Sequence, residues 1–174
     1  MNIKPKTFDE WYIKSAYQDF VKREEAPLYE GSALEDLANI PLADWRRRGG
    51  KVGYTRLGDQ EHYSLQIVEI PPGGELIPER HMYDALMFVL AGGGASMIWQ
   101  PGEKKRMIEW EEGSLLAIPL NAFHQEFNRS GSEPCRLLFA SNMAHAINLY
   151  NNIDFIFNNP YAFTDRYSYA MQDY

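Results

Sequence analysis

Two histidines and several carboxylates in the middle of this chain have the types and spacing that chemistry needs. Glu79 and His81 stand two residues apart, and His124 and Glu126 repeat that interval further along. Residues two apart on a β-strand project to the same face, so each pair would present a carboxylate and an imidazole into one cavity. Two imidazoles and one carboxylate with open positions suit a first-row divalent ion such as Fe(II) or Zn(II). The carboxylate's charge also offsets the cost of placing a dication in apolar surroundings. Glu79 and His81 are candidate ligands, with His124 the candidate third donor. Glu126 could be a further ligand, a general base or the acid of a metal-free mechanism. Tyr83 shares the face of His81 and is a second proton-handling candidate, whereas alternation points Asp84 the other way. Without a metal, His81 and His124 would be hydrogen-bonded interior histidines and Glu79 would pair with its neighbour Arg80.

These side chains need strands to hold them, and from Gly49 onward the sequence supplies short segments punctuated by turn residues. Strands are expected over 51–57, 62–70, 85–90, 95–100, 104–110, 114–118, 125–128 and 135–141, with His62 opening one of them. The intervening turns include Pro71-Pro72-Gly73-Gly74, Gly92-Gly93-Gly94 and Glu112-Gly113. If His81 faces inward, then Tyr83, Ala85, Met87 and Val89 do too, while Leu86, Phe88 and Leu90 face a second layer. Gln66, Trp99, Phe123 and Arg136 are further possible contacts whose facing alternation does not fix.

Ahead of the strands, Thr7-Phe8-Asp9-Glu10 has the form of a capping box, and the apolar spacing after it predicts a helix over 8–24, stopped by Pro27. An extended arm follows, with one helical turn expected over 33–38. After Asn142 the segment MAHAINLYNN predicts a short helix, and an aromatic tail closes the chain. The organisation expected is residues 1–48 as helix and arm, 49–142 as a β-barrel, and 143–174 as helix and aromatic tail packed on the barrel.

The chain has 174 residues, 45% hydrophobic and 24% charged, which suits one compact domain. A net charge of −7 argues against nucleic acid or an anionic membrane as partner, since both need clustered cations; the basic run Arg46-Arg47-Arg48 is short. Cys135 is the single cysteine and reads as a small strand residue. No secretion-type leader and no apolar run of membrane-spanning length is present, which leads to the expectation of a cytoplasmic protein.

The two glycine-bounded stretches resemble the paired motifs of the cupin superfamily of small β-barrels. The first runs Gly73, five residues, Glu79-Arg80-His81, three residues, Ala85, six residues, Gly92; the second runs Gly113, five residues, Pro119-Leu120-Asn121, two residues, His124, three residues, Asn128. The resemblance spans roughly 51–141 and implies an all-β, antiparallel double-stranded β-helix, the jelly-roll or cupin-like barrel. Metal-binding cupins use two histidines and a glutamate from the first motif and a histidine from the second. Position by position these are Glu79, His81, Ala85 and His124 here, so one ligand is exchanged and one deleted. The resemblance implies a metal-dependent small-molecule enzyme, foremost a dioxygenase-like oxidoreductase, with Fe(II) favoured and Mn, Ni or Zn possible. A cupin lyase or isomerase, or a non-catalytic small-ligand binder with a vestigial metal site, stands beside it, and Ala85 favours the last. A regulator of transcription is disfavoured by the negative charge. Barrels of this kind commonly pair, so a homodimer acting on a small organic substrate is expected.

Overall fold

The computed structural model describes residues 15–58 and 61–163. Among the described residues ten strands form two sheets. β1 (Leu28–Gly31), β2 (Ala43–Asp44), β3 (Lys51–Leu57), β4 (Ser64–Ile70), β5 (Ala85–Ala91), β8 (Leu115–Ile118) and β10 (Cys135–Ser141) make the larger one, in the order β1-β3-β4-β10-β5-β8 with β2 beside β3. β6 (Gly93–Trp99), β7 (Arg106–Glu111) and β9 (Phe123–Asn128) make the smaller, in the order β7-β6-β9. Pairing is antiparallel throughout except for β1, which the arm lays parallel to β3. One core fills the space between the sheets, from Val52 and Val68 through Met87 and Leu137 to Ile98 and Trp110.

Strand alternation decides what enters that core. On β5 and the residues before it, His81, Tyr83, Ala85, Met87 and Val89 are buried, and Asp84, Leu86 and Phe88 are exposed. The inward set is the expected one. The outward set meets no second layer among the described residues: Leu86 is 46% exposed and Phe88 38%. The strand expected from His62 begins at Ser64, and His62 is exposed, its ring 5.5 Å from that of His145.

The turns explain several motif positions. Gly92 has φ +82°, and a Cβ there would lie 2.9 Å from the Cβ of Cys135, so this crossing admits only glycine. Asn121, where the resembled motif has glycine, adopts φ +54°, a left-handed conformation that asparagine tolerates better than most residues. Cys135 is fully buried, and burial pushes its thiol up to about 12, in keeping with a packing role.

Helix α1 (Ala16–Arg23) is capped by Ser15, whose hydroxyl accepts from the Gln18 amide; the Thr7–Glu10 pair lies outside the described residues. It buries Tyr17, Phe20 and Val21. The turn expected over 33–38 is not helical: the chain is irregular to Asp36, which takes φ +52°, and turns at Leu37–Asn39. Helices α2 (Met143–Tyr150) and α3 (Ile153–Phe157) follow the last strand, with Ile156 buried. Among the described residues no helix is long and apolar enough to cross a membrane.

Candidate functional site

The two motifs meet through main chain. Glu79 and His124 form an antiparallel bridge, His124 N donating to Glu79 O at 2.8 Å and Glu79 N to His124 O at 3.1 Å. Directly opposed residues of such a pair share a face, so both side chains turn into the same end of the barrel. His81 joins them, its ring 5.1 Å from that of His124 at an interplanar angle of 70°. Glu126 lies beyond His124 on the inward face, as its spacing predicts; both are buried.

A turn that sequence spacing did not single out completes the site. Trp45 and Gly50 close it, Trp45 N donating to Gly50 O at 2.9 Å. Gly50 has φ +69°, and a Cβ there would sit 2.4 Å from Glu69 O. The turn delivers Arg47 and Arg48 into the barrel end, while Arg46 stays on the surface beside Glu25. Arg48 is almost wholly buried. Its Nη1 lies 3.1 Å from Glu79 Oε1, its Nη2 2.9 Å from Glu126 Oε2, and its Nε donates to Ile77 O at 2.9 Å. Arg47 pairs with the other oxygen of Glu79 and, through Nε, with Glu24 Oε1 at 3.0 Å. Its guanidinium lies over the rings of Phe157 and Trp45, 4.7 and 5.1 Å from their centroids. Glu24 also accepts from Trp45 Nε1 at 2.6 Å and Tyr54 Oη at 3.1 Å. The sequence signal for this arrangement is a basic run placed directly before two glycines. Arg80, the partner expected for Glu79, instead lies over the Phe123 ring.

The electrostatics follow from burial and these partners. Burial by itself would raise Glu79, but Arg47 and Arg48 outweigh it and hold the carboxyl well below its usual range. Glu126 is likewise raised by burial, yet His124 and Arg48 bring it down to about 2. Both are therefore carboxylates, able only to accept. His124 Nδ1, 2.7 Å from Glu126 Oε1, must carry the proton of that contact. His81 Nδ1 faces the Tyr83 carbonyl at 2.9 Å and donates for the same reason. Burial, then the neighbouring His124, pushes His81 down to about 3. Burial and the Glu79 charge push Tyr83 well above its usual value, so it remains a phenol; its ring stacks on His81 with centroids 3.8 Å apart.

His124 Nε2 is buried and has no hydrogen-bond partner among the described residues. With Nδ1–H fixed by Glu126, this nitrogen is presented for a proton, a ligand or an ion. Gln66 Nε2 is buried and unpartnered too. Of the other wall candidates, Trp99 stacks on Phe123 outside this set, and Arg136 pairs with Glu69.

The donor set does not fit the metal centre that the motif resemblance implies. The Glu79 carboxylate is occupied by two guanidiniums and that of Glu126 by Arg48 and His124. Among the described residues no group of three or more His, Cys, Asp or Glu side chains is placed to hold a metal ion. A groove of about 700 Å³, lined by Leu65, Leu86, Ala117, Pro119, Leu120 and Ala140 among others, lies on the opposite face of β5 from the histidines.

No protein-family model matches the chain, and no curated protein matches it significantly. Solved structures do. The oxalate decarboxylase of Lactobacillus farciminis, in its formate complex, superposes with a TM-score of 0.52 at 21% identity over 61% of this chain and 32% of that one. The vicilin of Solanum lycopersicum (tomato) gives 0.52 at 16% over 62% and 32%. The oxalate decarboxylase of Bacillus subtilis, described for its Mn(II) centres, gives 0.50 at 17% over 54% and 26%. The chain thus spans a third or less of the length of these proteins. Nothing among them supports the expected preference for Fe(II). All are cupin-superfamily proteins, and the fold of this chain is the cupin fold.

Proposed function

We propose that the chain is a small-molecule enzyme of cupin type whose reacting group is His124 Nε2, in a site closed by Arg47, Arg48 and α3. The observation that carries this reading is the buried, unpartnered Nε2 of an imidazole whose other nitrogen is fixed 2.7 Å from Glu126. A histidine held in one tautomer by a carboxylate is suited to taking and returning a proton. Glu126 positions the ring, Tyr83 is available as a donor, and Arg47, only partly buried, carries a charge that would orient an anionic or carbonyl-bearing ligand. Proton transfer of this kind serves lyase and isomerase chemistry more directly than oxidation by dioxygen.

The divalent ion suggested by the Mn(II) centres of the B. subtilis neighbour would have to take the Nε2 atoms of His81 and His124 and displace guanidiniums from Glu79. A purely binding role is favoured by Ala85, which leaves one motif position without a functional group.

The test is deuterium exchange from D2O into a panel of small keto and hydroxy acids, followed by NMR. Wild-type protein is expected to label one compound class, His124→Gln to abolish labelling, and Glu126→Gln to slow it by about 10²-fold, a typical general-base contribution. Retention of a metabolite by the native protein with no labelling would favour the binding role.

A homodimer in the cytoplasm belongs to the same proposal. β8 is a sheet edge with the uncharged sequence LLAI, and its first residue, Leu115, is 63% exposed; such an edge is prone to pair with another strand. Light scattering at micromolar concentration showing a monomer would remove the dimer from the proposal.

A further inference from the structure

We infer that Arg48, assisted by Arg47, is the resident cation of this barrel, occupying by charge the role that a divalent ion plays where a metal bridges the two motifs. The inference goes beyond the proton chemistry assigned to His124 and stands whether or not that assignment holds.

The geometry points to it in three ways. First, the Arg48 guanidinium joins the motifs: Nη1 meets Glu79 of the first at 3.1 Å, Nη2 meets Glu126 of the second at 2.9 Å, and Nη2 also reaches the His124 carbonyl at 3.4 Å. Second, its position is built. Arg48 O accepts from Ile77 N at 2.6 Å while Arg48 Nε donates to Ile77 O, so main chain and side chain are both tied to the segment that carries Glu79. A surface arginine caught by chance would lack that double anchor. Third, the charges compensate. Glu79 and Glu126, the carboxylates of the two motifs, face Arg47 and Arg48, two charges against two, with Glu24 of α1 a further partner of Arg47; a buried carboxylate needs such a partner to stay ionised. Two guanidiniums carry the charge of one divalent ion.

The chemistry of substitution follows. Removing both arginines deletes two positive charges and frees both oxygens of Glu79, while Glu126 keeps His124 Nδ1 through Oε1. The Nε2 atoms of His81 and His124 then stand beside an unpaired Glu79 carboxylate. Once that side chain, released from the guanidiniums, turns toward the imidazoles, such a set accepts Zn(II) or Mn(II). The wild-type chain, with its carboxylates already paired, has no reason to take either ion.

The experiment compares wild type, Arg47→Ala and the Arg47→Ala/Arg48→Ala variant, each purified and refolded with and without Zn(II) or Mn(II) chloride. Bound metal is measured per chain and melting is followed by calorimetry. Wild type and Arg47→Ala are expected to hold less than a tenth of an equivalent and to melt unchanged. The double variant is expected to bind about one equivalent of Zn(II). At a hundredfold excess over Kd its Tm should rise by about 5–10 °C, and adding His124→Ala should remove both effects. One equivalent of metal in the wild type, lost on His81→Ala or His124→Ala, would overturn the inference. So would a double variant that folds without binding metal, or one that stays unfolded with Zn(II) present, because the ion was to replace the missing charge.

Discussion

The two motifs of this barrel have diverged to different degrees. The second, Gly113 to Asn128, keeps its histidine and uses its asparagine structurally: Asn128 Nδ2 donates to the carbonyls of Ile70, Pro71 and Glu133 at 3.1, 3.0 and 2.8 Å. The first, Gly73 to Gly92, keeps its turn glycines, with φ of +63° and +82°, but presents Glu79 and Ala85 where the resembled pattern has ligands. Scaffold positions and chemical positions therefore separate. Backbone geometry at the turns tolerates almost no change, whereas an inward side chain is free to change once another element supplies a compensating charge. Here that element is the Trp45–Gly50 turn, outside both motifs.

The contrast is broken most severely at Arg48. Arg48→Ala leaves Glu126 buried with one partner fewer and should cost about 3–5 kcal/mol in urea unfolding, the usual effect of uncoupling a buried ion pair; a loss under 1 kcal/mol would show that the network is not needed. On the second motif, Asn128→Ala removes the two amide protons shared among three main-chain carbonyls and the oxygen that accepts from Ser130 N, and should cost about 2–3 kcal/mol. Gly92→Ala tests the scaffold of the first. Both its φ and the approach to Cys135 predict about 1–3 kcal/mol, and Asn121→Gly, at the left-handed position of the second motif, should cost less than Asn121→Ala. The smallest effect is the dependence on pH. His81 is depressed to about 3, so the unfolded chain takes up this proton first, near pH 6.5, and stability falls as pH drops through the window from 6.5 toward 3. The depressed carboxyls of Glu79 and Glu126 add losses in the same direction only below about pH 4.5. Between pH 7 and 5.5 the expected loss is about 1 kcal/mol, and His81→Gln should flatten that part of the profile.

Much of this was legible because strand alternation is strict. From His81 alone, the period of two places Tyr83, Ala85, Met87 and Val89 inside and Asp84 outside, and from His124 it places Glu126 inside. The spacing of glycines around both histidines likewise identifies the fold. Arg47 and Arg48 were not legible, because a short basic run usually belongs to a solvated surface and only the positive φ of Gly49 and Gly50 turns it inward. The pairing of Glu79 with residues more than thirty positions earlier leaves no local pattern. Nor does sequence say what covers Leu86 and Phe88: an apolar residue on an outward strand position looks the same whether another layer or solvent lies beyond it.

Glu24 carries one further consequence. It closes the end of α1, yet its carboxylate oxygens hold Trp45, Arg47 and Tyr54. The first described helix and the charged interior are thus fastened by the same two atoms, and fraying at the helix end would release the Arg47 side chain. Helix and barrel mouth should open together as one cooperative unit. Hydrogen exchange would then give the amides of α1 and of the Trp45–Gly50 turn a common opening free energy, and Glu24→Gln would lower both.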